Sequence, residues 1–201
     1  MSETGHRWQA AMGKGGPSLN LEVGRVALQA QGAVLMSAGR AVVLVAAGSQ
    51  TEPAAHLSFF PLTVEYREKM ASAGRIPGSF MRREARAADH EILTARLVDR
   101  SIRPHFPDGF RCETQVFATV MSFDADIDAA AMAITGASAA LTISPIPWGG
   151  PVAGVRVARI DGELKLFPAM AERERADLDL VVSVSRDGLV MVEGSAGEVA
   201  E

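Results

Sequence analysis

The sequence predicts one α+β (mixed α/β) domain, and three observations support this class. Short apolar runs of strand character alternate with two helical segments along the 201 residues. A chain of this length can bury one large core. The composition, 48% apolar and 22% charged, is that of an ordinary globular protein, and no repeat or interdomain linker divides it.

Four β-like runs open the domain, separated by turns that contain glycine. In order they are LNLEVGRVALQA (19–30), AVLMSAG (33–39), RAVVLVAAG (40–48) and FFPLTVEYREK (59–69). Residues 68–88 show neither strand nor helix periodicity and contain Gly74, Pro77 and Gly78. We therefore predict a long loop there, and loops of that length are more often functional than idle.

The second half begins with a helix at about 89–102, which Asp89 caps and Pro104 ends. A strand (114–123) and a helix of small residues (129–144) follow. Two hairpins, 152–167 and 178–193, each have an Asp-Gly turn between apolar runs.

We divide the chain into a mobile leader (1–18), one domain (19–195) and the start of a linker helix (196–201). The leader is polar and rich in glycine. A single cysteine, Cys112, excludes an internal disulfide, and no apolar run approaches the roughly 18 residues that cross a membrane. We expect a cytoplasmic protein without a membrane partner.

Arginine is concentrated in residues 75–103. This segment has a local net charge of +3, although the whole chain has a net charge of −4. Its seven arginines are Arg75, Arg82, Arg83, Arg86, Arg96, Arg100 and Arg103. Such a cluster in an acidic chain indicates a polyanionic partner.

The helical arginines share one face. At 100° per residue, Arg96, Arg100 and Arg103 lie within about 60° of one another. We expect Leu93 and Leu97, on the adjoining stripe, to face the core. Phe80, next to the loop arginines, provides a ring for base stacking, so we predict binding of single-stranded RNA. Two alternatives remain open: a solvated face with an Asp99–Arg103 ion pair, or a subunit interface paired with a neighbour's acids.

The same residues resemble a known family. Residues 59–86 (FFPLTVEYREKMASAGRIPGSFMRREAR) and 93–110 (LTARLVDRSIRPHFPDGF) are similar to the first RNase PH-type domain of bacterial polynucleotide phosphorylases. AITGASAAL (133–141) and ADLDLVV (176–182) continue the resemblance, which spans about 19–195. It implies an RNase PH-like fold, a βαβα sandwich of mixed sheets and helices. It also implies a phosphorolytic 3′→5′ exoribonuclease that uses a divalent metal.

The resemblance gives the arginine cluster a role. SFMRR (79–83) matches a loop that narrows the central channel of a ring and grips RNA, with Met81 where a second Phe is usual. A thioether stacks less well than a ring. The helical arginines match those that line the RNA path. The predicted RNA-binding residues are Phe80, Met81, Arg82, Arg83, Arg86, Arg96, Arg100 and Arg103.

The resemblance also implies that this domain has no catalytic residues. Where active relatives hold phosphate, this chain has Asp128, Ala129 and Ala130. Of the two aspartates and the lysine at the relatives' metal site, only Asp179 remains, because Arg173 and Val181 replace the others. We interpret Asp177 and Asp179 as solvent-facing residues of an edge strand. We expect no metal in this domain, and Mg²⁺ (or Mn²⁺) in the full enzyme.

The predicted function is RNA guidance and ring assembly within a phosphorolytic exoribonuclease. The expected partners are single-stranded RNA, a second RNase PH-type domain of the same enzyme and further copies in a homotrimer ring. The alternative is a free-standing, catalytically inactive RNA-binding or scaffold protein of the same fold.

Overall fold

A computed structural model describes residues 5–12, 18–54, 57–78, 80–84 and 86–197. The strands are β1 (His6–Ala11), β2 (Ser18–Val23), β3 (Gly32–Ala38), β4 (Ala41–Pro53), β5 (Leu62–Glu68), β6 (Cys112–Ser122), β7 (Ala153–Ile160), β8 (Glu163–Leu166), β9 (Leu178–Ser185) and β10 (Gly188–Ala196). The α-helices are α1 (Asp89–Ile102), α2 (Ala129–Thr142) and the short α3 (Met170–Arg173). Two 3₁₀ turns span Met70–Ala73 and Arg103–His105.

Strands β1 to β6 form the first sheet, in the order β1-β2-β3-β4-β6-β5. All neighbours are antiparallel except β5 and β6, which are parallel. Side chains alternate between buried and partly exposed along β3 and β4, because successive residues of a strand point to opposite faces. One face of this sheet therefore contributes to the core and the other remains accessible.

Strands β7 to β10 form the second sheet, in the order β10-β9-β7-β8, and all are antiparallel. Both predicted hairpins are present. Asp161 and Gly162 turn between β7 and β8 with positive φ angles of 53° and 84°. Gly188 begins β10 at φ 137°, a conformation that glycine adopts without steric cost.

Helices α1 and α2 lie between the two sheets, so the described residues form three layers. Small residues allow the close approach of α2, since a Cβ atom on Gly136 would lie 2.6 Å from Val45 Cγ2. On the β7 side, a Cβ atom on Gly154 would lie 2.7 Å from the Ala131 carbonyl oxygen. The mixed α/β class predicted from the sequence is confirmed.

The outer face of the second sheet exposes large apolar side chains. Leu164 and Leu166 of β8 are 69% and 54% exposed, and Leu189 of β10 is also exposed. Val157 and Leu180 extend the same apolar row, since they pair with each other and Val157 pairs with Leu166. No helix in the described part of the chain is long and apolar enough to cross a membrane.

The structure differs from the sequence predictions at the N-terminus and at α1. His6–Ala11 was assigned to a mobile leader but forms strand β1, which pairs with β2 along its whole length. The predicted linker helix (196–201) overlaps the end of β10 at Ala196, and residues 198–201 lie outside the described residues.

Helix α1 also corrects two side-chain assignments. Asp89 is the first residue of the helix, not its cap, and Glu91 Oε2 accepts the backbone N–H of the N-cap Ala88 at 2.7 Å. Leu93, expected in the core, is 51% exposed. Val98 and Ile102 are the buried apolar residues of α1. Leu97 is partly buried against the core, as expected.

Candidate nucleic-acid interface

The loop between β5 and α1 projects an apolar and cationic tip into solvent. Phe80 is fully exposed and Met81 is 61% exposed. Arg82 has a φ angle of 48°, in the left-handed region that non-glycine residues rarely adopt. The loop is anchored behind its tip by Glu84, which accepts bonds from Lys69 Nζ (2.7 Å) and from the backbone N–H of Met70 (2.8 Å). The hydrogen bond from Lys69 also lowers the pKa of the Glu84 carboxyl.

The loop arginines are exposed. Arg75, Arg82 and Arg86 make no salt bridge within the described residues. Arg83 and Arg86 line a cavity of about 400 Å³ at the base of the loop, together with Arg67 and His90.

A second cavity of about 690 Å³ lies between strand β5 and helix α1. Arg96 and Arg100 line it, and Arg67 and Glu91 line both cavities. The two cavities therefore adjoin. The structure brings four predicted residues to this continuous surface: Arg83, Arg86, Arg96 and Arg100.

The three arginines of the predicted helical row have different surroundings. Arg96 is exposed and has no ion partner among the described residues. Arg100 forms a salt bridge with Glu193 of β10, which lies in the other sheet. Of these three arginines, only Arg96 therefore has its charge unpaired among the described residues.

The Arg103 guanidinium is bonded to neighbouring groups of the protein, and 41% of the side chain remains exposed. Its guanidinium donates to both oxygens of Asp99 (2.7 and 2.6 Å) and to the carbonyl oxygens of Phe60 and Leu62 (3.2 Å each). It also lies 5.5 Å from the centroid of the Phe60 ring. The bonds to Asp99 raise the pKa of Arg103 above its usual value. The Asp99–Arg103 pair expected as an alternative is thus present.

A network of four charges lies where the resemblance implies a lost phosphate and metal site. Arg156 of β7 binds both oxygens of Asp179 (2.6 and 2.7 Å) and Oδ2 of Asp128 (3.0 Å). Asp128 is the N-cap of α2, where its Oδ1 accepts the Ala130 N–H at 3.0 Å. Arg173 adds a 3.2 Å bond to Asp179.

This network corrects the interpretation of Asp179. Strand β9 is an inner strand between β10 and β7, and the Asp179 side chain is only 17% exposed. Burial by itself raises the pKa of Asp179, but the Arg156 and Arg173 guanidinium groups outweigh it and hold the pKa below its ordinary value. Asp177, which precedes β9, is exposed and pairs with Arg159 at 2.8 Å.

Sequence reasoning missed Arg156 and Glu193. Their partners lie 23 and 93 positions away along the chain. Both contacts depend on the strand order β10-β9-β7 and on the position of α1 beneath β10. Alternation along β7 and β10 could have indicated the faces of these side chains, but not which charges lie opposite them.

Comparison with known proteins assigns the family. The model of the 3′ exoribonuclease family, domain 1, matches residues 18–147, and the model of domain 2 of that family matches residues 150–201. The chain belongs to the 3′ exoribonuclease family.

Relatives within this 3′ exoribonuclease family make the assignment more specific. The chain is 57% identical over 187 residues to the polyribonucleotide nucleotidyltransferase of Anaeromyxobacter sp. (strain K), an alignment that covers 93% of this chain and 26% of that protein. The enzymes of the same name from Sorangium cellulosum and Geotalea daltonii are 57% and 50% identical over 93% of the chain, and 25% and 27% of their lengths are covered. The resemblance to the first RNase PH-type domain is confirmed, and the chain spans about a quarter of the length of these relatives.

A solved structure supports the fold. Rice (Oryza sativa) Rrp46 superposes with a TM-score of 0.66 at 16% identity, covering 85% of this chain and 76% of that one. The RNase PH-like fold implied by the sequence resemblance is therefore confirmed.

Proposed function

We propose that this domain guides single-stranded RNA in a phosphorolytic 3′→5′ exoribonuclease, a polyribonucleotide nucleotidyltransferase, that degrades RNA. The observation that carries the proposal is the exposure of Arg82, Arg86 and Arg96 without an ion partner among the described residues. The chain has 24 acidic residues, more than its basic ones, so unpaired arginines on one surface are not a result of a shortage of acids. Guanidinium groups suit phosphate because they offer planar, paired donors.

The loop tip supplies the contact with bases. The fully exposed Phe80 ring is available for stacking, a contact that tolerates any base. Met81 adds apolar surface but stacks less well. Strained backbone such as that of Arg82 is found at binding loops more often than elsewhere, which fits this role.

The same domain is not equipped for phosphorolysis. Both oxygens of Asp179 are bonded to Arg156, and Oδ2 is also bonded to Arg173, so this carboxylate does not suit a divalent cation. Asp128 places negative charge at the α2 N-terminus, where a phosphate would otherwise be favoured. We place catalysis in a second RNase PH-type domain, where Mg²⁺ (or Mn²⁺) would neutralise charge on the scissile phosphate.

We further propose that the domain functions in a cytoplasmic homotrimer ring. The named relatives are about three and a half times as long as this chain, which leaves room for a second domain of the same type. The exposed leucines on the outer face of the second sheet provide apolar surface for contact with that second domain or with another subunit of the ring.

RNA binding can be tested by fluorescence anisotropy with a labelled single-stranded RNA. Arg82→Ala, Arg86→Ala and Arg96→Ala should each weaken binding to several unrelated sequences alike. Each should also reduce the slope of log K against log salt by about 0.7, the value for one phosphate contact to a single strand. Arg186→Ala removes the same charge from the exposed β9–β10 turn and should leave both quantities unchanged. Equal losses of RNA affinity and of salt dependence in the control and the three variants would contradict the proposal.

The network of Arg156 and Arg173 with Asp128 and Asp179 also suits a second candidate function. This candidate is a free-standing, inactive RNA-binding or scaffold protein. The two candidates differ in the length of the native polypeptide. An immunoblot of source cells with an antibody against this domain should detect a product about three and a half times the size of the chain if the domain belongs to an enzyme. A product of the size of this chain would favour the scaffold. In either case, the isolated chain with RNA, phosphate and Mg²⁺ should release no nucleoside diphosphate.

A further inference from the structure

Glu193 contacts the predicted RNA surface from a different layer of the fold. It lies on β10, pairs in the sheet with Val181 of β9, and forms a salt bridge with the Arg100 guanidinium of α1. The side chains are 41% exposed for Glu193 and 46% exposed for Arg100. This ion pair is therefore open to solvent and to a ligand in the cavity that Arg100 lines.

Arg100 is paired less firmly than Arg103, which begins the 3₁₀ turn after α1, and more firmly than Arg96. Arg103 is fixed by four hydrogen bonds and a ring contact, with all of which a phosphate would have to compete. Arg96 has no ion partner to exchange among the described residues. Arg100 has one carboxylate partner, and its Nε makes a long, 3.4 Å bond to the Arg96 carbonyl oxygen. An exposed ion pair of this kind contributes little free energy and exchanges readily.

We propose that the Glu193 carboxylate competes with RNA phosphates for Arg100 and thereby sets the affinity of this surface for RNA. This carboxylate occupies the guanidinium that an RNA phosphate would bind, so RNA must displace it to gain this contact. The inference rests on the proposed RNA-guiding function and adds a residue outside the arginine cluster to it. Because Glu193 can bind Arg100 again whenever RNA leaves it, the exchange limits the affinity for RNA but keeps the binding site available. Such a site suits a surface along which a polymer has to move.

Two matched substitutions test the exchange. Glu193→Gln removes the competing charge and preserves the side-chain shape. It should raise affinity for a single-stranded RNA by about threefold, the scale of one exposed ion pair. The slope of log K against log salt should become steeper by about 0.7, because Arg100 then binds a phosphate without first losing a partner. Glu174→Gln makes the same charge change at an exposed position that is not in the cluster and should have no effect.

A double-substitution cycle separates this role from a general charge effect. In an Arg100→Gln background, Glu193→Gln should leave the affinity and the salt slope unchanged, since the competition no longer exists. Thermal unfolding of each variant confirms that it is folded. Higher affinity in both backgrounds would overturn the proposal, because Glu193 would then act only through long-range repulsion. Lower affinity for Glu193→Gln would also overturn it, because the carboxylate would then be orienting Arg100 for RNA.

The test distinguishes failure of this inference from failure of the proposed function. If Arg82→Ala and Arg96→Ala weaken RNA binding while Glu193→Gln has no effect, the competitor role is overturned and the RNA-guiding function stands. If none of the arginine substitutions changes the affinity, both are overturned.

Discussion

Arg156 donates to both carboxylate oxygens of Asp179, at 2.6 and 2.7 Å, across the inner strands of the second sheet. A third bond joins the same guanidinium to the N-cap residue of α2, Asp128, at 3.0 Å. One side chain therefore ties β7, β9 and α2 together. The arginine also neutralises two largely buried carboxylates, which would be costly to leave without a partner.

Replacing Arg156 should therefore cost stability. We expect Arg156→Gln to lower the free energy of unfolding by about 2–4 kcal/mol, because two partly buried carboxylates lose their main partner. Urea denaturation monitored by circular dichroism measures this change. Arg159→Gln is the matched control on the same strand, since its pair with Asp177 is exposed and should contribute much less to stability. Similar losses for both variants would contradict a special role for the network.

The Asp124 carboxylate should make stability depend on pH. It accepts the backbone N–H groups of Arg40 (2.9 Å) and Asp126 (3.2 Å), and the Arg40 bond is the main cause of a pKa below the ordinary value. A carboxyl with a lowered pKa stabilises the fold above its unfolded-state pKa, about 3.9, and loses this contribution as the pH falls through the folded-state pKa.

The free energy of unfolding of the wild-type protein should therefore decrease as the pH falls below about 4. Asp124→Asn, which cannot ionise, should be less stable near neutral pH and should show a smaller decrease. Denaturation curves at several pH values measure the difference. Asp126→Asn, at an exposed position, should follow the wild-type profile, and parallel profiles for all three proteins would be inconsistent with the assignment.

Gly136→Ala should destabilise the protein, although helix propensity favours alanine over glycine. Alanine in a helix interior is normally about 1 kcal/mol more stable than glycine. Here the added Cβ would lie 2.6 Å from Val45 Cγ2 and 2.8 Å from Met36 Sδ, so overpacking should reverse the sign and cost about 1–3 kcal/mol. Thermal and urea unfolding of Gly136→Ala measure the effect. Gly48→Ala, which meets no atom within 4 Å, should not destabilise the protein.

Arg96 of α1 and Arg103 of the 3₁₀ turn that follows it should have separable effects on stability and RNA binding. Arg103→Gln should lower the free energy of unfolding by about 1–3 kcal/mol, because the carbonyl oxygens of Phe60 and Leu62 and the Asp99 carboxylate lose their donor. Arg96→Gln should leave stability within about 0.5 kcal/mol and should weaken RNA binding. Unfolding and anisotropy measurements on both variants test the contrast. Loss of stability in Arg96→Gln would count against a solvent-exposed, ligand-binding role for Arg96.

Local patterns were sufficient to predict most elements. The Asp-Gly turns of both hairpins, the length of α1 and the loop before it follow from short-range backbone preferences and side-chain periodicity. The exposure of Phe80 and the loop arginines also agrees with the prediction of an irregular, polar segment. The sequence did not correctly predict which apolar side chains of α1 are buried. The position of the helix between the sheets buries Val98 and Ile102 and leaves Leu93 exposed, a choice that depends on the neighbouring layers.

The sequence by itself determined the family, the mixed α/β class and the concentration of arginine between residues 75 and 103, because these depend on residue identity and local order. Only the tertiary structure decided which of the charged side chains form ion pairs and with which partners. Arg103 is fixed by Asp99, Arg100 is shared with Glu193, Arg96 is unpaired among the described residues, and Asp179 is bound by Arg156. The physical reason is that an ion pair requires two groups within about 4 Å, and strand order and layer packing bring together residues that lie far apart along the chain.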